Sequence, residues 1–180
     1  VARRHYWGNQ GLEPQPAMAR QWYERAVHEH NNPEAMYNLG VLLANGQGGY
    51  TPNMSLAMEY FRRAADPTDG QDPFAMAVYA MGTHYMHDAG DFDLALDYFV
   101  RACHLGSADA HFTLGALYVE RHEVETGIVH LLQAANAQHV RALNYIAHGL
   151  FDPDSWLFLH HRRRLIDARL QHNRVKTGDD

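Results

Sequence analysis

Four segments of this chain repeat one short pattern, and that repetition limits the possible folds more than any other feature. They read Ala35-Met-Tyr-Asn-Leu-Gly40, Ala77-Val-Tyr-Ala-Met-Gly82, Ala110-His-Phe-Thr-Leu-Gly115 and, more loosely, Ala142-Leu-Asn-Tyr-Ile-Ala147. The leading alanines are 42, 33 and 32 residues apart. A second pattern alternates with the first: a small residue, bulky residues three and four places on, and Ala at the seventh. Ala19/Trp22/Tyr23/Ala26, Ala57/Tyr60/Phe61/Ala64 and Ala95/Tyr98/Phe99/Ala102 fit it, and Gly127/His130/Leu131/Ala134 fits loosely. Such offsets place side chains on one stripe of an α-helix. The repeating unit is therefore two amphipathic helices, A then B. Small residues let their backbones cross closely, and the aromatics fill the space beside the crossing.

Local signals support an all-α reading. Asn32-Pro33, Asp72-Pro73 and Asp152-Pro153 each set a capping residue before a Pro at the first helical position. Ser107 is suited to cap the third A helix, and Asp91 the second B helix. Turns are expected at Gly46-Gln-Gly48-Gly49, Gly90-Asp91 and Gly106-Ser107. No stretch shows strand-like alternation.

The run Ala35-Met-Tyr-Asn-Leu-Gly-Val-Leu-Leu-Ala-Asn-Gly46-Gln-Gly48, continuing to Ala57-Met-Glu-Tyr60-Phe61-Arg-Arg-Ala64-Ala65, resembles the Sel-1-like repeats, relatives of the tetratricopeptide repeats. Trp22-Tyr23-Glu24-Arg25-Ala26 resembles the B helix of the same unit. Repeats two and three lack the GxG turn and are closer to tetratricopeptide length. The resemblance implies an all-α solenoid of antiparallel helix pairs with a right-handed superhelix. It also implies a protein-interaction scaffold or adaptor that assembles a multiprotein complex. The expected organisation is a half repeat over 5–30, repeats over about 33–66, 73–104, 108–137 and 141–151, a capping or docking helix over 152–172, and a flexible tail over 173–180. With Gly11 where a second turn glycine would fall, the chain is expected to begin partway through a repeat.

In tetratricopeptide geometry, the positions three before and one after the A-helix glycine face the concave groove. That assigns Tyr37 and Val41 in repeat one, Tyr79 and Thr83 with Met86 a turn on in repeat two, and Phe112 with Ala116 in repeat three. The fourth repeat offers Asn144 and His148, with Arg141 near the rim. The first three repeats carry no Lys, Arg or Asn there, so a carboxylate clamp is not expected. An aromatic row suits a peptide or helix of a protein partner; the competing reading is that the same rings are packing.

Composition and motifs narrow the remaining options. Apolar residues make up 46% and charged residues 20%, which excludes global disorder. The net charge is −6, with the acidic excess in residues 1–151 and a basic cluster only in 160–176. The body would repel a phosphate backbone. The tail's Arg162, Arg163 and Arg164 therefore carry the alternative reading, an assembly factor touching RNA or an anionic membrane surface. The single Cys103 rules out an internal disulfide and is expected to be buried and inert, leaving cytosol, mitochondrion and ER lumen open. His84 and His87 are spaced to share a helical face but lack a third ligand, so no metal is assigned. No GxSxG, Walker loop, CxxC or GxGxxG is present. The expected activity is non-catalytic, with no cofactor.

Overall fold

The computed structural model describes residues 15–151, which divide into two compact units at Leu105/Gly106. The expected start of the half repeat, the 152–172 helix with Arg162–Arg164, and the 173–180 tail lie outside the described residues. Within these, every regular element is helical, and no helix is long and apolar enough to cross a membrane.

The first unit contains α1 (Pro16–His30), α2 (Pro33–Asn45), α3 (Met54–Ala65), α4 (Ala75–His84), a π-helical turn (Tyr85–Ala89) and α5 (Phe92–His104). The start of α2 follows from its sequence. Asn32 accepts the Ala35 N–H at 2.8 Å through its side chain, and Pro33, which has no N–H to leave unsatisfied, takes the first helical place. The helix ends at Gly46, whose φ of +64° lets its own N–H reach the Leu43 carbonyl at 3.3 Å and the Gln47 N–H reach the Leu42 carbonyl at 2.8 Å. Asn53 then caps α3 by accepting from Leu56 N–H at 3.0 Å.

The A–B pairing buries the phased small residues. On α2 the buried stripe includes Ala35, Leu39, Gly40 and Leu43; on α3 it is Ala57, Phe61, Ala64 and Ala65. The pair α4–α5 repeats this with Ala77, Val78, Met81 and Gly82 against Ala95, Tyr98, Phe99 and Ala102. Phe99 is fully buried, a contribution of about 1.5–3 kcal/mol from water exclusion.

Two local expectations need correction. Asp72 does not cap α4: the helix begins at Ala75, with Phe74 as its boundary residue and no side-chain cap. Phe74 is instead held extended, its N–H donating to the Ala64 carbonyl at 2.9 Å and its ring lying 5.3 Å from that of Tyr37. Tertiary packing thus overrides a local capping signal. The second A helix also does not stop at a simple turn. It runs into the π-helical turn, which ends at Gly90 in the left-handed region.

The second unit contains α6 (Ala108–Glu120), α7 (Val124–Asn136) and α8 (Val140–Phe151). Ser107 caps α6 through Ala110 N–H at 3.3 Å. The α6–α7 crossing is made by glycines from both sides. A β-carbon on Gly115 would lie 2.8 Å from Leu131 Cγ, and one on Gly127 would lie 2.8 Å from the Gly115 carbonyl oxygen. Ala142 and Ile146 of α8 complete this core with Val119, Val124, Ile128 and Leu131. Each unit is thus built from nested helix pairs, the α-solenoid class of architecture.

Candidate functional site

In the first unit the expected groove residues sit at the edge of the core. Tyr37, Val41, Tyr79, Thr83 and Met86 are all half-buried, whereas their neighbours Leu39, Val78 and Met81 are fully buried. The Tyr37 ring rests 5.3 Å from Phe61 of its own repeat and 5.3 Å from Phe74 of the next. Tyr79 rests 5.6 Å from Phe99 in the corresponding relationship. Each tyrosine therefore spends one face on a B-helix phenylalanine. Thr83 spends its hydroxyl on the Ala80 carbonyl at 2.8 Å, so its contribution to the row is chiefly its methyl group. Met86 lies in the π-helical turn beside Tyr85, whose ring stacks on Tyr98 at 5.3 Å.

Phe112 belongs to the second unit and has a different setting. It stacks on His139 at 5.1 Å, meets Tyr145 edge-on at 6.1 Å, and lies under the Arg141 guanidinium at 4.8 Å. Arg141, expected as a rim cation, is committed: it also donates to Asp109 at 3.3 Å. His139 links the same carboxylate to the start of α8. Its Nδ1 accepts the Ala142 N–H at 3.2 Å, which leaves Nε2 to carry the proton and donate to Asp109 at 3.0 Å.

Three clasps of this kind, each an Arg, a carboxylate and a ring, tie elements together. In the first, Glu24 accepts from Tyr50 at 2.7 Å and from Arg20 at 2.8 Å, with Arg20 4.1 Å above the Tyr50 ring. Burial and the Glu24 bond push the Tyr50 phenol up to about 12. In the second, Asp66 accepts from Tyr98 at 3.1 Å and pairs with Arg101, whose guanidinium lies 5.0 Å above the Tyr98 ring. Burial, then the Asp66 charge, raises the Tyr98 pKa as well. The Asp109/His139/Arg141/Phe112 group is the third.

His84 Nδ1 faces Asp88 Oδ2, four residues on in the π-helical turn, at 2.9 Å, while His87 is exposed. Cys103 is half-buried rather than buried, and desolvation pushes its thiol up to about 12, so it is protonated at neutral pH. Asp91 serves as the cap of α5, accepting from Leu94 N–H at 3.1 Å. A cleft of about 190 Å³ in the first unit is lined by Asn31, Met36, Arg62, Arg63 and Asp66 to Asp69, and shares no residue with the aromatic row.

What the geometry shows is a scaffold of phased helix pairs, and comparison with known proteins agrees. The Sel1 repeat pattern matches residues 1–30, 33–66 and 75–107, together more than half of the sequence. The chain belongs to the Sel1 repeat family. Beyond the last matched residue, α6 and α7 keep the glycine-on-bulky crossing that defines the earlier pairs. A Sel1 repeat protein from Oxalobacter formigenes has a similar structure, with a TM-score of 0.62 and 25% identity over 82% of this chain and 42% of that one. This chain therefore spans less than half the length of that protein. A protective antigen of uropathogenic Escherichia coli strains with an SLR fold matches at TM-score 0.56 and 19% identity, covering 92% of this chain and 40% of its own. An immunity protein from Pseudomonas aeruginosa matches at TM-score 0.53 and 16% identity, covering 94% and 78% respectively. At these identities the last two show the shared fold alone. Sel1 repeats generally mediate protein–protein interaction and are typically non-catalytic scaffolds.

Proposed function

We propose that this Sel1 repeat chain is a non-catalytic adaptor that receives a peptide or helix of a protein partner on the A-helix row of its first unit, as part of a multiprotein complex. One observation carries the reading. Tyr37, Val41, Tyr79, Thr83 and Met86 are spaced by the repeat and all stop short of full burial, on helices whose opposite stripe is packed. A row used only as core would be closed by a further layer, whereas these rings have B-helix phenylalanines beneath them and retain exposed area. Aromatic and thioether side chains of this kind gain most from covering by an apolar helix face. Phe112 offers a separate contact on the second unit, stiffened by Arg141 and His139.

The experiment is substitution with two readouts. Tyr37→Ala and Tyr79→Ala chains are expressed at native level and their co-purifying proteins compared with those of the wild type, while circular dichroism follows folding. Loss of a specific co-purifying protein from folded variants supports the proposal. Retention of every partner, or collapse of both variants, overturns it.

A further inference from the structure

The third repeat departs from its neighbours at two facing positions. One residue after the leading alanine of each A helix stand Met36, Val78 and His111; three residues into each B-helix pattern stand Tyr60, Tyr98 and His130. Where the first two repeats carry an apolar residue and a tyrosine at these positions, the third carries two histidines. The fold brings them together within the second unit. His111 on α6 and His130 on α7 have their Nδ1 atoms 3.0 Å apart and their ring centroids 5.2 Å apart. The His130 ring is further fixed by stacking on Tyr118 at 5.7 Å. Both imidazoles are half-buried.

We propose that His111 and His130 form a two-imidazole binding site for a divalent transition ion of the zinc type, with water completing the coordination. Imidazole nitrogens ligating one ion at about 2.0–2.1 Å stand close to the observed separation when they occupy neighbouring coordination positions. The rings come from two helices locked by the Gly115/Gly127 crossing, so the pair is held ready rather than assembled on binding. Burial lowers the His130 pKa, which favours the neutral ring that ligates a metal. His84, by contrast, is turned to Asp88. The competing role is a plain hydrogen bond, one ring donating and the other accepting.

The test titrates the full chain with ZnCl2 by calorimetry in chelator-free buffer, alongside His111→Asn and His130→Asn, with X-ray absorption at the zinc edge on the wild type. The expected result is one strong zinc per chain carrying two imidazoles, weakened about tenfold or more in either variant. Binding unchanged in both variants, no binding to the wild type, or an absorption spectrum without two imidazoles overturns the site. The wild-type spectrum decides alone if a variant does not fold.

Discussion

A β-carbon on Gly40 would lie 2.5 Å from Cε1 of the Phe61 ring and 3.1 Å from the Ala57 carbonyl oxygen. Gly82 stands in the same relation to Phe99, at 2.7 Å. The A and B helices therefore cross at a distance only a hydrogen allows, and the ring of the B helix fills the notch. Gly40→Ala gains helix propensity but forces that ring against close-packed neighbours, and the expected net cost is about 1–3 kcal/mol. Urea denaturation checks it. In a double-mutant cycle with Phe61→Ala the clash disappears, so the pair should be non-additive by about 1 kcal/mol or more. Simple additivity would mean the crossing has slack.

The clasp at Asp66 is worth more than a surface ion pair because one of its donors is a buried phenol. Tyr98 is only 8% exposed and donates its hydroxyl to Asp66. Asp66→Ala leaves that hydroxyl without its acceptor and should cost about 1–2 kcal/mol, against about 0–1 for an exposed pair. Tyr98→Phe should cost less, because donor and desolvation are removed together. Thermal melts of the two variants check the order.

His130 makes the protein acid-sensitive. Burial depresses the His130 pKa below its ordinary 6.5, so the unfolded chain binds the proton more tightly than the folded one. The stability is fully present above about pH 6.5 and is lost as the pH falls from there through the lower folded value. His130→Gln should flatten this part of the curve. Denaturation midpoints between pH 7.5 and 5 provide the check.

Cys103 should be slow to react in the native protein. Its thiol is pushed up to about 12, so almost no thiolate exists near neutrality. A disulfide reagent at pH 7.5 is expected to label the chain slowly when folded and rapidly in urea, in proportion to the unfolded fraction. Fast labelling of the native chain would place the thiol in a more polar setting than the structure shows.

The helix pairs were legible because a glycine crossing needs small residues at fixed helical offsets, and Gly40/Phe61 and Gly82/Phe99 announce themselves at each repeat. Caps were legible where the residue acts locally, as at Asn32, Asp91 and Ser107. The local rule failed at Asp72, because Phe74 is used three-dimensionally, bonded to Ala64 and packed on Tyr37. The clasps were not legible for a related reason. Glu24 and Tyr50, or Asp66 and Arg101, meet only once the helices are stacked, and no periodicity links them. His111 and His130 lie inside the repeat patterns, His130 in the loosely fitting one, and no local rule links the two. Reading the repeats as an alignment, with Met36 and Val78 above His111, is the signal that would have found them.

On the proposed reading the A-helix row, and not the exposed B-helix surface, meets the partner. A photo-crosslinking amino acid placed singly at Val41 or Met86, and as a control at the exposed B-helix residue Val100, tests this most directly in cells expressing the chain. The same discrete crosslinked protein is expected from Val41 and Met86, and none from Val100. Crosslinks from Val100 alone, or none from the row, would contradict that reading.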